Sequence, residues 1–256
     1  DHLSKGRAIL GIGNGERENI EPYGLPWQKQ VSRLEEALTI IRLLWESRGA
    51  PVDYDGQFWK LRDAVFNLPL YNDRPPRIWN AAHEPRMLGL TGRFGDGWIP
   101  VGKVTPEQYA SRLNVIKESA AAAGRSMETF VPGQMIFPVV LGKSRDQALD
   151  MVMKSRLGAV FALVAPGSIW KEHGLSHPLG EDHGGWYDLV PPRVTEEDVE
   201  RALSTMTPEL LLATTYLGSP QDISEEAAAL VDAGARHIVV ADGSVLFTGD
   251  VGAHLW

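Results

Sequence analysis

The residues best suited to chemistry stand near the start of the chain, where an apolar run meets a glycine-spaced turn. Residues 8–12 are almost all apolar, and in the following turn Gly13 and Gly15 alternate with Asn14 and Glu16. An apolar run bounded by glycine is typical of a strand that is buried on both faces. Glycine lets the backbone approach a ligand closely, and α/β barrel enzymes place their reacting groups at the carboxyl ends of strands. Glu16 is therefore a candidate for chemistry at a strand end; the alternative is a carboxylate that only stabilises a helix start, by about 0.3–1 kcal/mol.

A second group of reactive side chains lies far along the chain, where three histidines stand close to two carboxylates. The residues are His173, His177, His183, Glu181 and Asp182. Histidines four residues apart occur in zinc sites, usually on a regular helix or strand. Here glycine and proline interrupt the segment repeatedly, so we expect no metal ion at these side chains.

The segment that carries these histidines, residues 165–193, breaks an otherwise regular pattern of elements. It is rich in Gly, Pro, His and Trp. A long irregular segment in an α/β chain is more often a functional lid than a linker. We predict that it is such a lid and that Trp170 and Trp186 form an apolar wall in it.

The elements that position these residues follow from apolar periodicity and from turn residues. Apolar residues spaced three and four apart between Val31 and Trp45 predict an amphipathic helix, and Asp55-Gly56 predicts a hairpin turn. Pro138 inside an apolar run predicts a bulge or weak pairing. Besides the first run, strands are predicted at 77–82, 97–101, 134–141 and 237–241. Capping boxes that begin at Thr105, Ser144 and Ser219 predict three helix starts.

Strands that alternate with helices in this way form a parallel sheet. We count about five core strands, whereas a (β/α)8 barrel needs eight and typically has about 250 residues. Because the irregular segment and the hairpin take up part of the chain, we predict a single domain over 1–256 that lacks about three barrel strands. Its first strand would then expose an unpaired edge. Since residue 1 is Asp and not Met, we expect a fragment or a processed product.

The amino-acid composition limits the kinds of molecule that the chain is expected to bind. The 256 residues carry a net charge of −8, which argues against nucleic acid or an anionic membrane as the main partner. The absence of cysteine excludes disulfides and thiolate metal sites and fits a cytoplasmic protein. No apolar run approaches the roughly 20 residues of a transmembrane helix.

With these motifs laid out, the chain resembles the luciferase-like flavin and deazaflavin oxidoreductases, which are (β/α)8 TIM barrels. The resemblance runs over nearly the whole chain, and the family's first three strands have no counterpart in it. The stretches that carry the resemblance are GRAILGIG (6–13), RLEEAL (33–38), AAHEPRML (81–88), GRFGDGW (92–98) and the closing helix within 218–234.

Within that family, the chain is most similar to the F420-dependent phthiodiolone/phenolphthiodiolone dimycocerosate ketoreductases. The subgroup-like stretches are ERE (16–18) with EPYG (21–24), and WKEHGLSHPLG (170–180) in the irregular segment. This resemblance implies coenzyme F420, a deazaflavin that carries hydride and reacts poorly with oxygen. It also implies a small-molecule substrate that is a ketone or alcohol, and a homodimer.

The resemblance further implies roles for residues near the opening turn. Glu16 matches a catalytic glutamate of related sugar-phosphate dehydrogenases, and hydride delivered to a ketone requires a proton on the oxygen. Asn14 matches a position that contacts the deazaflavin, whose polar edge an amide can hydrogen-bond, and Gly15 lies beside it. Lys103 roughly matches a substrate-binding lysine of the same relatives; the alternative is a solvated loop lysine.

The stretch that joins the second predicted strand to its helix is expected to hold the cofactor phosphate. In relatives, backbone N–H groups at the helix start make this contact, which here corresponds to residues His83 to Arg86. Glu84 departs from the family pattern, in which glycine is usual, and a carboxylate beside a phosphate is unfavourable. Arg86 would compensate by pairing with the phosphate. Asp96 is interpreted as a residue that organises the turn into the third strand.

The function predicted from the sequence is an F420-dependent oxidoreductase that transfers hydride to or from a ketone or alcohol, with a long-chain lipid ketone as the candidate substrate. One alternative is an FMN-dependent monooxygenase on the same barrel, since both classes use the same strand ends. Another alternative is an inactive fragment or a binding subunit.

Overall fold

Parallel strands alternate with helices in the computed structural model, which describes residues 1–248. The strands are β1 (Ile9–Ile12), β2 (Val52–Asp55), β3 (Lys60–Ala64), β4 (Arg77–Asn80), β5 (Gly97–Trp98), β6 (Val131–Leu141), β7 (Tyr216–Gly218) and β8 (His237–Asp242). The helices are α1 (Gln30–Glu46), α2 (Pro85–Phe94), α3 (Pro106–Ala122), α4 (Arg145–Met153), α5 (Arg156–Leu163), α6 (Gly167–Glu172), α7 (Glu196–Thr205), α8 (Pro208–Thr214), α9 (Pro220–Asp232) and α10 (Val245–Thr248). Among these residues, no helix is long and apolar enough to cross a membrane.

The main sheet has six strands in the order β1-β4-β5-β6-β7, with β8 also paired to β6. Every pairing in this sheet is parallel, which confirms the predicted α/β class. Within the described residues β1 pairs with β4 alone, so its other edge is unpaired, as predicted. The count of five strands was wrong because β7, three residues between two helices, is too short to show periodicity. The hairpin β2–β3 is a separate antiparallel sheet, and its turn contains the predicted Asp55-Gly56.

The described residues form two compact units, one of Asp1–Asn14, Gln28–Pro100 and Ser111–Pro132, the other of Gly15–Trp27, Val101–Ala110 and residues 133–248. In the first unit, Asp96 organises the turn into β5: its carboxylate accepts a hydrogen bond from the Ile78 N–H at 2.9 Å and pairs with Arg125 at 2.8 Å and Arg42 at 3.3 Å. These contacts confirm its structural interpretation. Glu36 on α1 is buried and accepts hydrogen bonds from the backbone N–H groups of residues 57–59, which fixes the hairpin to the helix.

In the second unit, two of the three predicted capping boxes are complete. Thr105 and Gln108 exchange backbone and side-chain hydrogen bonds, as do Ser219 and Asp222. The box at Ser144 is half formed, because its hydroxyl caps the Gln147 N–H while the Gln147 side chain bonds elsewhere. The bulge predicted at Pro138 is present as a register shift between Ile136 and Val139 in the β6–β8 pairing.

The segment 165–193 is less irregular than its composition predicts, since it contains α6 and two short 3-10 helices, Gly185–Tyr187 and Pro191–Arg193. Trp170, on α6, is fully buried and donates its indole N–H to the carbonyl of Ala162 at 3.0 Å. It belongs to the core of this unit. The prediction that it walls a substrate site is therefore not supported by its position.

Candidate active site

In the first unit, the predicted cofactor residues follow two neighbouring strands. β1 and β4 are paired up to Ile12 and Asn80, and the Ala81 N–H donates to the Ile12 carbonyl at 3.2 Å. Carboxyl ends of parallel strands meet at one edge of a sheet, so the turn that holds Asn14 and the turn that begins at Ala81 leave that edge together. Among residues 1–248, the half-buried Asn14 amide has no hydrogen-bond partner and is free to bind a ligand.

The turn after β4 leads directly into α2, a helix of ten residues with Glu84 as its N-cap and Pro85 in its first turn. The first backbone N–H groups of a helix lack partners within it, so this end of α2 can accept an anion. His83 precedes the helix and keeps part of its surface open to solvent. Crowding by the surrounding protein and the positive charge of Arg112 lower the pKa of its imidazole, which is therefore neutral at pH 7.

Arg86, which was predicted to pair with the cofactor phosphate, is engaged by other residues of the protein. Its guanidinium donates to the hydroxyl of Ser32 at 2.9 Å and to the Glu35 carboxylate at 3.1 Å, so it joins α2 to α1. A different cation, the half-buried Arg112, interacts electrostatically with Glu84 and makes no hydrogen bond within the described residues. Arg112 lies on α3, far from this turn in sequence, and its charge acts on Glu84.

In the second unit, the backbone at Gly15 sets the direction of Glu16. Gly15 has φ +81°, and a Cβ built on it would lie 2.5 Å from Cδ1 of Ile20, so only glycine fits without a shift. The Glu16 carboxylate accepts a hydrogen bond from the Trp186 indole N–H at 2.8 Å and one from the Asn19 side-chain amide at 3.1 Å. Each carboxylate oxygen has one donor. The structure thus brings together two residues singled out in sequence, Glu16 and Trp186.

Trp186 is held in place by its own neighbours. Its backbone N–H donates to the Val164 carbonyl at 2.8 Å, and its ring meets the Phe137 ring edge-to-face with centroids 5.8 Å apart. The side chain remains 46% exposed. An aromatic surface beside a carboxylate can contact an apolar substrate while the carboxylate exchanges a proton with it.

Ion pairs missed by sequence reasoning join the same two segments. Arg17 donates to Asp188 at 2.9 Å and also pairs with Glu21, and Glu21 pairs with Arg193 at 3.2 Å. In addition, the rings of Trp27 and Tyr187 lie 4.8 Å apart. Opposite charges about 170 residues apart in sequence give no periodic signal, so only the fold reveals these pairs.

Lys103 is neither a solvated lysine nor a free cation. Its ammonium group pairs with Glu226 at 2.9 Å, donates to the Thr215 carbonyl at 3.3 Å and lies 5.0 Å from the centre of the Tyr216 ring. The side chain is only 19% exposed. This engagement is structural and gives no support to the predicted substrate contact.

His177, in segment 165–193, has a structural role too. The His177 Nδ1 accepts from the Leu179 N–H at 3.0 Å, so its Nε2 carries the proton and donates to the Leu163 carbonyl at 3.2 Å. Burial, with a smaller contribution from His183, lowers the pKa of His177 to about 4. His173 is exposed. Over residues 1–248, no group of three or more His, Asp or Glu side chains is arranged to hold a metal ion.

Comparison with known proteins places this arrangement in a family. The sequence model of the luciferase-like monooxygenases matches residues 1–237. The chain belongs to the luciferase-like monooxygenase family. The fold predicted from the sequence, a TIM barrel of the luciferase-like type, is confirmed, and the described residues contribute six parallel strands to it.

Three known proteins illustrate what the chain is similar to. The phthiodiolone/phenolphthiodiolone dimycocerosates ketoreductase of Mycobacterium kansasii is 38% identical over 247 residues, which are 95% of this chain and 66% of that protein. The chain thus spans just under two thirds of the length of this curated relative. An F420-dependent secondary alcohol dehydrogenase in complex with an F420–acetone adduct aligns with TM-score 0.69 and 18% identity, over 94% of this chain and 65% of that one. The oxygenating constituent of 3,6-diketocamphane monooxygenase from Pseudomonas putida, with FMN, aligns with TM-score 0.58 and 18% identity, over 94% and 66% of the two chains.

Proposed function

We propose that the chain acts in an F420-dependent oxidoreductase that interconverts a ketone and an alcohol, with Glu16 as the proton donor. The observation that carries the proposal is the Glu16 carboxylate itself, which follows a barrel strand and is fixed by two donors beside an exposed aromatic ring. The ketoreductase relative, similar over 95% of this chain, supports carbonyl chemistry. The dehydrogenase neighbour supports F420 as the cofactor.

Glu16 would exchange the proton while its geometry stays fixed. Reduction of a ketone forms an alkoxide oxygen, and a carboxyl group within hydrogen-bond distance protonates it as it forms. In the reverse direction the carboxylate accepts the alcohol proton. The donors from Trp186 and Asn19 limit the rotation of the carboxyl group, so little reorganisation is needed at the moment of transfer.

The cofactor would supply the hydride, and residues of the first unit are chemically suited to hold it. The unpartnered Asn14 amide offers both a donor and an acceptor for the polar edge of a deazaflavin. The backbone N–H groups at the start of α2 suit a phosphate, and Arg112 supplies positive charge that offsets Glu84. Arg86 is left out of this proposal because it is paired with Glu35.

The substrate would be an apolar ketone, such as a long-chain lipid. The Trp186 and Phe137 rings present an apolar surface next to the Glu16 carboxylate, and the cations Arg17 and Lys103 are both ion-paired. An unpaired cation would suit a phosphorylated sugar better. The name of the ketoreductase relative agrees with a lipid substrate.

Titration of the chain with coenzyme F420 and, in parallel, FMN tests the proposal through ligand fluorescence. We expect F420 to bind at micromolar concentration and FMN to bind more weakly. Binding of FMN alone, with oxygen consumption, would favour the monooxygenase alternative that the FMN-containing neighbour represents. Binding of neither ligand would favour an inactive fragment or a binding subunit.

A further inference from the structure

We propose that Trp186 is a positioning residue, which holds the Glu16 carboxylate in the orientation from which it exchanges its proton. The inference rests on the proposed role of Glu16. Residues 183–193, hereafter the clasp, would fix the position of the segment that begins at Glu16.

The hydrogen bond between Trp186 and Glu16 is of a kind that can orient the carboxylate. An indole N–H can only donate, and a carboxylate can only accept, so the bond at 2.8 Å has a single possible sense. Hydrogen bonds to a charged acceptor are short and about twice as strong as neutral ones. Because Trp186 is 46% exposed, burial alone does not account for its position.

The rest of the clasp keeps the indole where this bond requires it. The Trp186 backbone is tied to Val164, and its ring rests against Phe137. Further along the same two segments, Asp188 binds Arg17 and Arg193 binds Glu21. The indole is therefore held by backbone, ring and ionic contacts, and the Glu16 segment is held by several bonds to the same clasp.

Nuclear magnetic resonance tests the bond without any cofactor. Trp186→Phe identifies the indole N–H signal of Trp186 among those of the 8 tryptophans. We expect that signal to move in Glu16→Gln, because the indole N–H then donates to a neutral amide oxygen instead of a carboxylate. Glu18→Gln, which changes a neighbouring carboxylate, is the control and should leave it in place. A Trp186 signal that ignores Glu16→Gln overturns the inference.

A double-mutant cycle separates positioning from a role as substrate wall. Trp186→Phe keeps an aromatic surface but loses the donor, so we expect kcat to fall about 10- to 100-fold with little change in KM. In a Glu16→Gln background the same change should cost almost nothing more. Trp59→Phe, at a tryptophan that is 40% exposed on the hairpin, is the matched control and should leave kcat unchanged. Additive losses, or a loss confined to KM, would contradict positioning.

The two readouts keep this inference distinct from the proposed function. If the Trp186 signal moves in Glu16→Gln but the protein does not oxidise reduced F420 with a ketone, the hydrogen bond is supported and the proposed function is wrong. If the protein is active but the signal does not move in Glu16→Gln, the positioning role is wrong and the proposed function is supported.

Discussion

Among single residues, Glu16 is the one on which the proposed proton transfer depends. Its replacement by Gln keeps shape and one acceptor but removes the exchangeable proton. General acid–base groups typically contribute 10²–10⁴-fold, so we expect kcat for ketone reduction to fall by about that factor while F420 binding is retained. Steady-state kinetics with reduced F420 measure this. Glu18→Gln, two residues away, should behave as wild type; equal losses in both variants would point to a general disturbance of the turn.

Gly15 offers a stability test of the turn that directs Glu16. Alanine at a left-handed position costs about 1–2 kcal/mol through backbone strain alone. Gly15→Ala should cost more than this, because the new Cβ meets Ile20 at 2.5 Å. Gly24→Ala is the matched control: its φ is +79°, but a Cβ there meets nothing within 4 Å. Chemical denaturation of both variants gives the comparison, and equal losses would mean that the Ile20 contact relaxes freely.

The sequence identifies candidate site residues better than it identifies their partners. Glycine spacing was enough to single out Asn14 and Glu16, because backbone freedom and strand ends leave local signals. The donor to Glu16 is Trp186, 170 residues further along the chain, and no local pattern links them. Arg86 was assigned to a phosphate on charge alone, whereas the fold pairs it with Glu35.

At the scale of elements, two adjacent glutamates on α1 should differ sharply in their contribution to stability. Glu36 is 7% exposed and accepts hydrogen bonds from three successive backbone N–H groups of the hairpin. Removing its charge with Glu36→Gln should cost about 1.5–3 kcal/mol. Glu35 pairs with Arg86 and Arg93 at the surface, so Glu35→Gln should cost at most about 1 kcal/mol. Denaturant unfolding of the two variants measures these losses in the free energy of unfolding. A larger loss in Glu35→Gln than in Glu36→Gln would contradict the role of Glu36 in fixing the hairpin to α1.

Elements with strong local signals were predictable, and short or buried ones were not. The capping boxes at Thr105 and Ser219 formed as expected because the capping hydrogen bonds link residues only three apart. β7 escaped notice because three residues show no alternation. Trp170 was read as a surface wall because its segment is rich in glycine and proline, yet α6 packs it into the core.

At the scale of the whole molecule, stability should fall in mild acid. The His177 imidazole is held neutral in the folded chain with a pKa of about 4, mainly by burial, while an unfolded histidine titrates near 6.5. Between these values the unfolded state binds more protons, so the free energy of unfolding decreases as pH falls, by up to about 1.4 kcal/mol per pH unit. Well above pH 6.5, His177 does not contribute to the pH dependence of the free energy of unfolding.

Unfolding measured from pH 7 to pH 4 checks this. His177→Asn keeps an acceptor for the Leu179 N–H but does not titrate, so its pH slope should be smaller than that of wild type. His173→Asn makes the same substitution at an exposed histidine of the same segment and should keep the wild-type slope. An unchanged slope in His177→Asn would show that the buried imidazole is not the source.

An anaerobic reaction of the chain with reduced F420 and a long-chain aliphatic ketone tests the proposed reaction itself. We expect oxidised F420 to appear only when the ketone is present, with one alcohol formed for each F420 oxidised and no need for oxygen. The contradicting result is bound F420 that stays reduced in the presence of the ketone, together with a product that forms only when FMN and oxygen are supplied.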